Sequence, residues 1–236
     1  MPDNPEGSAP YTGPPVESDR SRSSRPSHPP ALLALRGVAY RRGDRLLFSD
    51  VDLAVGPGGC TWVRGGNGVG KTSLLRIAAG LAAPAAGQVL RDGGVRPLVV
   101  GHANALNADL SAAEALAFLA RVQGAPTARG DVTRALDALG LARAAHGAPV
   151  GRLSQGQRRR VALARLALAP SAALLWLLDE PFDALDADGI ARVEARVADH
   201  RAAGGGVVLT SHRALSGPAL GGPVELLDLG GGPDAP

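Results

Sequence analysis

The longest apolar stretch in the chain runs from about Leu166 to Leu178, and Pro170 breaks it. It is too short to cross a bilayer, which takes roughly 20 apolar residues in a helix. Its second part, Ala173–Leu178, has no polar position at all, the pattern of a parallel strand buried on both faces. Other stretches fall in place around it. Segments 32–39 and 46–55 read as strands around a turn at Arg42-Gly43-Asp44, and Cys60-Thr61-Trp62-Val63 as a short buried strand running into a Gly-rich loop. A helix follows over 72–82, then short strands at 88–91 and 97–101. From about 103 to 150 the pattern is mostly helical, clearest at Ala112–Val122 and Val132–Leu141, and a further helix covers 155–168. A helix at 188–201 and strands at 206–210 and 224–229 close the sequence. Strands alternating with helices predict an α/β fold with a parallel-sheet core. The helical middle, about 103–168, is then a subdomain inserted into it. Residues 1–30 hold eight prolines among Ser, Arg and Asp and have little to bury, which predicts a disordered tail. The ordered domain is expected over 31–230, with a short C-terminal tail at 231–236.

Composition narrows the picture. The chain has 236 residues, 45% hydrophobic and 20% charged, enough for a sizeable core. Its net charge is +3, but the basic residues are scattered and not interleaved with aromatics, which argues against a nucleic-acid partner. Of 25 basic residues only Lys71 is a lysine. Arg is a planar fork and Lys a compact ammonium, so a chain this biased toward Arg holds Lys where an ammonium is needed. The single cysteine, Cys60, permits no intrachain disulfide and reads as a small buried strand residue. The N-terminus lacks the apolar core of a signal peptide, so the chain is expected to be soluble or peripheral, with any membrane work left to a partner.

Chemistry concentrates at two places. Gly65-Gly66-Asn67-Gly68-Val69-Gly70-Lys71-Thr72 matches G-x-x-x-x-G-K-[ST] between a strand and a helix, and Ser73 follows it. Such a loop turns backbone N–H groups toward phosphate, and the next helix offers its positive dipole end. Lys71 can reach the β- and γ-phosphates of ATP, and the Thr72 hydroxyl can ligate Mg²⁺. Downstream, the apolar run ends in Asp179-Glu180. A buried strand delivers these acids to its carboxyl end, where α/β sheets bind ligands. There Asp179 would hold Mg²⁺, directly or through water, and Glu180 would act as general base toward the attacking water.

Leu153-Ser154-Gln155-Gly156-Gln157 precedes a basic amphipathic helix and resembles the LSGGQ signature of ABC ATPases, with Gln155 in place of a glycine. Ser154 is equally suited to capping that helix. Asp183-Ala184-Leu185-Asp186 is similar to the family's D-loop, and His212 to its switch histidine. Tyr40 stands where an aromatic stacks on adenine, although simple strand packing would also explain it. These motifs cover about 31 to 215 in the family's order. The resemblance implies a P-loop NTPase of ABC type with an antiparallel β subdomain beside the parallel core. It also implies ATP and Mg²⁺ as ligands and a second copy of the chain in an ATP sandwich, with Ser154, Gly156, Gln157 and Asp186 at the shared nucleotide. Where the family's Q-loop carries glutamine, this chain has Gly101-His102. With Leu110–Leu116, Gln157–Arg165 and Trp176–Phe182, that segment resembles the haem-exporter-type ATP-binding subunits of the cytochrome c maturation system, the CcmA family. This narrower resemblance implies a membrane permease partner, CcmB, other cytochrome c maturation proteins, and a place on the cytoplasmic face of a bacterial inner membrane. An ABC transporter subunit for another substrate, a soluble non-transport ABC ATPase and a non-hydrolysing ATP-binding module are the rival readings at this point.

Overall fold

A computed structural model describes residues 31–93, 95–169 and 175–230. The expected tails at 1–30 and 231–236, together with Ala173, Leu174 and Pro170, lie outside them. Two sheets organise the chain. β1 (Leu33–Arg42) and β2 (Arg45–Val55) form a hairpin, and β4 (Ala86–Arg91) pairs antiparallel with the other edge of β1. The second sheet is wholly parallel. β3 (Cys60–Arg64), β5 (Pro97–Val100), β6 (Leu175–Leu178), β7 (Gly206–Thr210) and β8 (Glu225–Asp228) stand in the order β5-β6-β7-β3-β8.

The apolar run of β6 explains itself in this sheet. All four of its residues are buried. Trp176 and Leu178 join one core, with Val207, Leu209, Leu98 and Val100. Leu175 and Leu177 face the other, with Val208, Val63 and the residues of α1 (Lys71–Ala79). A central parallel strand has no wet face, so period-2 alternation carries no polarity signal. The first core is completed by α2 (Ala112–Val122), α3 (Arg129–Ala138), α4 (Gln155–Leu163), α5 (Arg165–Leu168) and α6 (Ala187–Ala202). The antiparallel sheet closes over α1 in the second core. Cys60 lies in the first core, where burial pushes its thiol up to about 11 and leaves it protonated at neutral pH.

Two helix ends differ from the expected ones for a common reason. The expected helices at 72–82 and 132–141 run through glycines that end them. α1 stops before Gly80 (φ 77°) and α3 before Gly140 (φ 70°). In both, the N–H of the residue after the glycine donates to the carbonyl five residues back, Leu81 to Arg76 and Leu141 to Leu136. This is the Schellman closure that a left-handed glycine makes possible. The single helix expected over 155–168 is two, α4 and α5, with a turn at Ala164. β1 is longer than expected because it bulges three times against β2 and reaches Arg42. Among the described residues no helix is long and apolar enough to cross a membrane.

The central strand is the most sensitive place in this packing. Leu177→Ala should destabilise the fold by about 2–5 kcal/mol through lost burial and a cavity. Leu81→Ala, at a position 63% exposed, should change stability by less than about 0.5 kcal/mol. Urea unfolding of the two variants checks this contrast.

Candidate active site

Four adjacent parallel strands, β5, β6, β7 and β3, end on one edge of the sheet. Their carboxyl ends place Gly101-His102, Asp179-Glu180, Ser211-His212 and the Gly65–Thr72 loop side by side. A cavity of about 310 Å³ opens there, lined by Gly66, Asn67, Gly68, Gly70, Lys71, Thr72 and Ser73 on the loop side. His102, Asp179, Glu180, Asp183 and His212 face them, with Arg42 and Leu47 from the β1–β2 hairpin at the mouth.

The loop is shaped to receive an anion. Gly70 precedes α1 at φ 108°, and no side chain caps this helix. By contrast Ser111, Ser154 and Asp186 cap α2, α4 and α6. The first N–H to return into α1 is that of Leu74, to Gly70, so the N–H groups ahead of it remain for a ligand. A Cβ on Gly70 would stand 2.8 Å from two ring carbons of Phe48, and one on Gly65 2.8 Å from Val69 Cγ2. Space as well as backbone conformation therefore requires glycine at both. The buried Lys71 donates to the carbonyls of Gly65 (2.7 Å) and Gly66 (3.1 Å), which holds its ammonium beneath the loop.

The acids are held from several sides. Asp179 Oδ2 accepts from the Thr72 hydroxyl at 2.7 Å, and Oδ1 accepts from the Thr210 hydroxyl at 2.8 Å. Thr210 Oγ1 in turn accepts from the Glu180 N–H at 2.9 Å. Glu180 has φ 48°, a left-handed conformation in a residue with a Cβ. This costs about 1–3 kcal/mol and persists only where the surroundings fix it. One of its oxygens, Oε2, accepts from the His212 N–H at 3.0 Å. The other, Oε1, is buried without a well-formed hydrogen bond, with His212 Nε2 3.3 Å away. Glu180 lines the cavity, and a carboxylate oxygen with unspent lone pairs can accept a proton from a water held beside it. The Thr72 hydroxyl and Asp179 carboxylate form an all-oxygen donor pair of the kind that suits Mg²⁺.

Other residues singled out in the sequence stand elsewhere. Tyr40 does not line the cavity; its ring stacks on Phe48, with centroids 6.0 Å apart. Val69 packs against Gly65. Ser154 and Gln157 form a reciprocal cap at the start of α4, and Gly156 abuts the Ala184 carbonyl, where a Cβ would approach to 2.7 Å. None of the three lines this cavity. Asp186 caps α6 through the Gly189 N–H and pairs with Arg160 at 2.6 Å; the former interaction is the larger cause of its lowered pKa. His102 Nδ1 lies 3.7 Å from Asp183 Oδ2. Arg42 and Leu47 reach the cavity although no motif marks them, and Asp183 reaches it from the first position of the D-loop-like segment. Arg159 is buried directly behind the acids. It lies three, four and seven residues before Ala162, Leu163 and Leu166, the spacing of a buried helical face, a signal hidden by the Arg158–Arg160 run.

A P-loop on a parallel sheet, two acids at the end of β6 on the same edge, a histidine after the intervening strand β7 and a capped signature-like loop together define an ABC-type ATPase cassette. Residues 48–183 match the ABC transporter family. In fold, the chain is similar to a putative ABC transporter ATP-binding protein from Pyrococcus furiosus (TM-score 0.71, 23% identity, covering 84% of this chain and 96% of that one). It is also similar to MJ0796, described as a dimeric bacterial ABC transporter cassette (TM-score 0.69, 25% identity, covering 84% and 95%). In sequence it is 47% identical to the cytochrome c biogenesis ATP-binding export protein CcmA of Cupriavidus necator, over 79% of this chain and 85% of that protein. It is 50% identical to the CcmA of Sphingopyxis alaskensis, over 80% and 94%. The chain belongs to the CcmA family of ABC transporter ATP-binding subunits.

Gly70→Ala tests the steric reading of the loop. With Phe48 in the way and φ at 108°, the loop must shift, and affinity for a fluorescent ATP analogue should fall by at least about tenfold. The far-UV circular dichroism should stay unchanged.

Proposed function

We propose that this chain is the ATP-hydrolysing subunit of an ABC transporter complex for cytochrome c biogenesis, working with a membrane permease. The observation that carries the reading is the pairing of an uncapped P-loop helix with Glu180, which lines the same cavity and whose buried Oε1 has lone pairs unspent. The N–H groups at the start of α1 and the Lys71 ammonium bind the β- and γ-phosphates. To do so Lys71 exchanges its bonds to the Gly65 and Gly66 carbonyls for phosphate oxygens. Thr72 and Asp179 would hold Mg²⁺, which when bound neutralises charge developing on the phosphate oxygens. Glu180 Oε1 takes the proton of the attacking water while His212 keeps the carboxylate aligned and reaches toward the γ-phosphate. The adenine lies toward the β1–β2 hairpin, where Arg42 and Leu47 line the cavity and Tyr40 stacks on Phe48.

Ser154, Gly156 and Gln157 are not at this cavity, which fits a role at the site of a second copy. There the capped start of α4 would meet the γ-phosphate of the other chain, with the Asp186 loop at the junction. Residues 31–230 would act as one nucleotide-binding domain, with the helices between about 103 and 168 as the arm that moves. The loop at His102, beside that arm, would pass closure to a permease of the CcmB kind at the cytoplasmic face of an inner membrane. The relatives' names, cytochrome c biogenesis ATP-binding export protein, point to other cytochrome c maturation proteins as further partners.

The test uses cells in which Glu180→Gln replaces the wild-type chain. Turnover by the purified variant should fall by about 10²- to 10⁴-fold, the usual range for losing a general base. Haem-peroxidase staining of c-type cytochromes should disappear while their polypeptides are still made and exported. Normal staining beside an ATPase-dead variant would assign the chain to a different transporter.

A further inference from the structure

Arg159 is 2% exposed, and among the described residues its hydrogen bonds go to carbonyl and amide oxygens rather than to carboxylates. It is instead held by four oxygens from two segments. Nη1 donates to the Gly101 carbonyl (2.9 Å) and to Asn104 Oδ1 (3.1 Å). Nη2 donates to the carbonyls of Asp179 (2.8 Å) and Glu180 (2.7 Å). One rigid fork, rooted in α4 behind the signature-like loop, thus spans the His102 loop and the backbone of both acids.

Burial of the guanidinium disfavours its charged form. A buried cation of this kind needs its bonds, and losing one leaves a donor unsatisfied in the core. The strain at Glu180 gives the contact a purpose. Its left-handed backbone must be fixed by its surroundings. The Glu180 N–H is anchored to Thr210 and its carbonyl to Arg159. We infer that Arg159 is a positioning residue for hydrolysis: its fork ties the Gly101–Asn104 loop to the Asp179–Glu180 backbone, so that the loop's placement sets where the Glu180 carboxylate stands. The inference rests on the ATPase reading of this site. It adds a direct route by which a partner bearing on the His102 loop alters turnover.

Lys cannot replace this fork, because an ammonium on a single stem cannot span both pairs of acceptors in one plane. In the purified full chain, Arg159→Lys should lower kcat by about 10- to 100-fold, the scale of a misplacement of roughly 1 Å. The KM for MgATP should stay within about twofold, since the P-loop is untouched. Asn104→Ala removes one acceptor outside the core and should lower kcat severalfold at unchanged KM. The double variant should fall no further than Arg159→Lys alone, as residues in one linkage are non-additive. If Arg159→Lys does not fold, Asn104→Ala decides alone: reduced kcat at constant KM supports the linkage, and wild-type kcat overturns it. A parallel loss of unfolding midpoint, KM and kcat in Arg159→Lys, with Asn104→Ala unaffected, would reduce Arg159 to a core residue and overturn the inference. A wild-type chain that binds MgATP without turnover would instead contradict the ATPase reading itself, and the inference with it.

Discussion

The carboxylate of Asp179 is the point on which the rest of the site depends. It accepts one hydroxyl from Thr72, at the start of α1, and another from Thr210, at the end of β7. The P-loop, the acid-bearing strand and the strand before His212 are fixed to one another through a single buried side chain. This contact exists only because β6 lies between β5 and β7, with β3 next beyond. That order in turn rests on a strand apolar on both faces, dividing two cores. Burying each such Leu side chain is worth about 1.5–3 kcal/mol, and this packing keeps the anchored strand end from moving. Energy from the core is thereby converted into position at the cavity, while Glu180, the next residue, is left strained and incompletely bonded.

Much of this geometry was legible in the sequence, and the reasons are local. The Gly65–Thr72 pattern states its own backbone requirements, and Leu175–Leu178 has the apolar continuity of a buried parallel strand. Given those two, the topology of a parallel sheet forces Asp179-Glu180 beside the loop. Helix ends were less legible. Gly80 and Gly140 lie within apolar periodic runs, and periodicity does not register that a left-handed glycine ends a helix ahead of it. Arg159 was hidden for another reason. The three arginines belong to a segment read only as a basic amphipathic helix, and tertiary structure reveals that Arg159 turns inward onto four oxygens contributed by residues far away in sequence. Tyr40 was placed at the adenine by resemblance, whereas in the structure its ring stacks on Phe48 while Arg42 and Leu47 reach the cavity.

The signature-like loop gives the site its incomplete character. Ser154 and Gln157 satisfy each other at the start of α4, away from the chain's own cavity. The same helix carries Arg159 against the acids and Arg160 against Asp186 and Asp188. A phosphate captured at the start of α4 from another copy would therefore act on a helix already bonded to the acids and to the Asp186 loop of its own site. Two such sites facing each other would each sense the other's nucleotide through a rigid element of nine residues.

If a working site needs the P-loop of one copy and the signature-like loop of another, two differently disabled chains should complement each other when mixed. Lys71→Ala disables the P-loop. Ser154→Asp keeps the helix cap, because Asp caps as well as Ser, but sets a carboxylate against the incoming phosphate. Each variant alone should show almost no ATP turnover. Their mixture should recover a substantial fraction of wild-type activity, since the mixed pair contains one site with both parts intact. A mixture as inactive as its components, or full activity from Ser154→Asp alone, would show that the site does not need a second copy's signature-like loop.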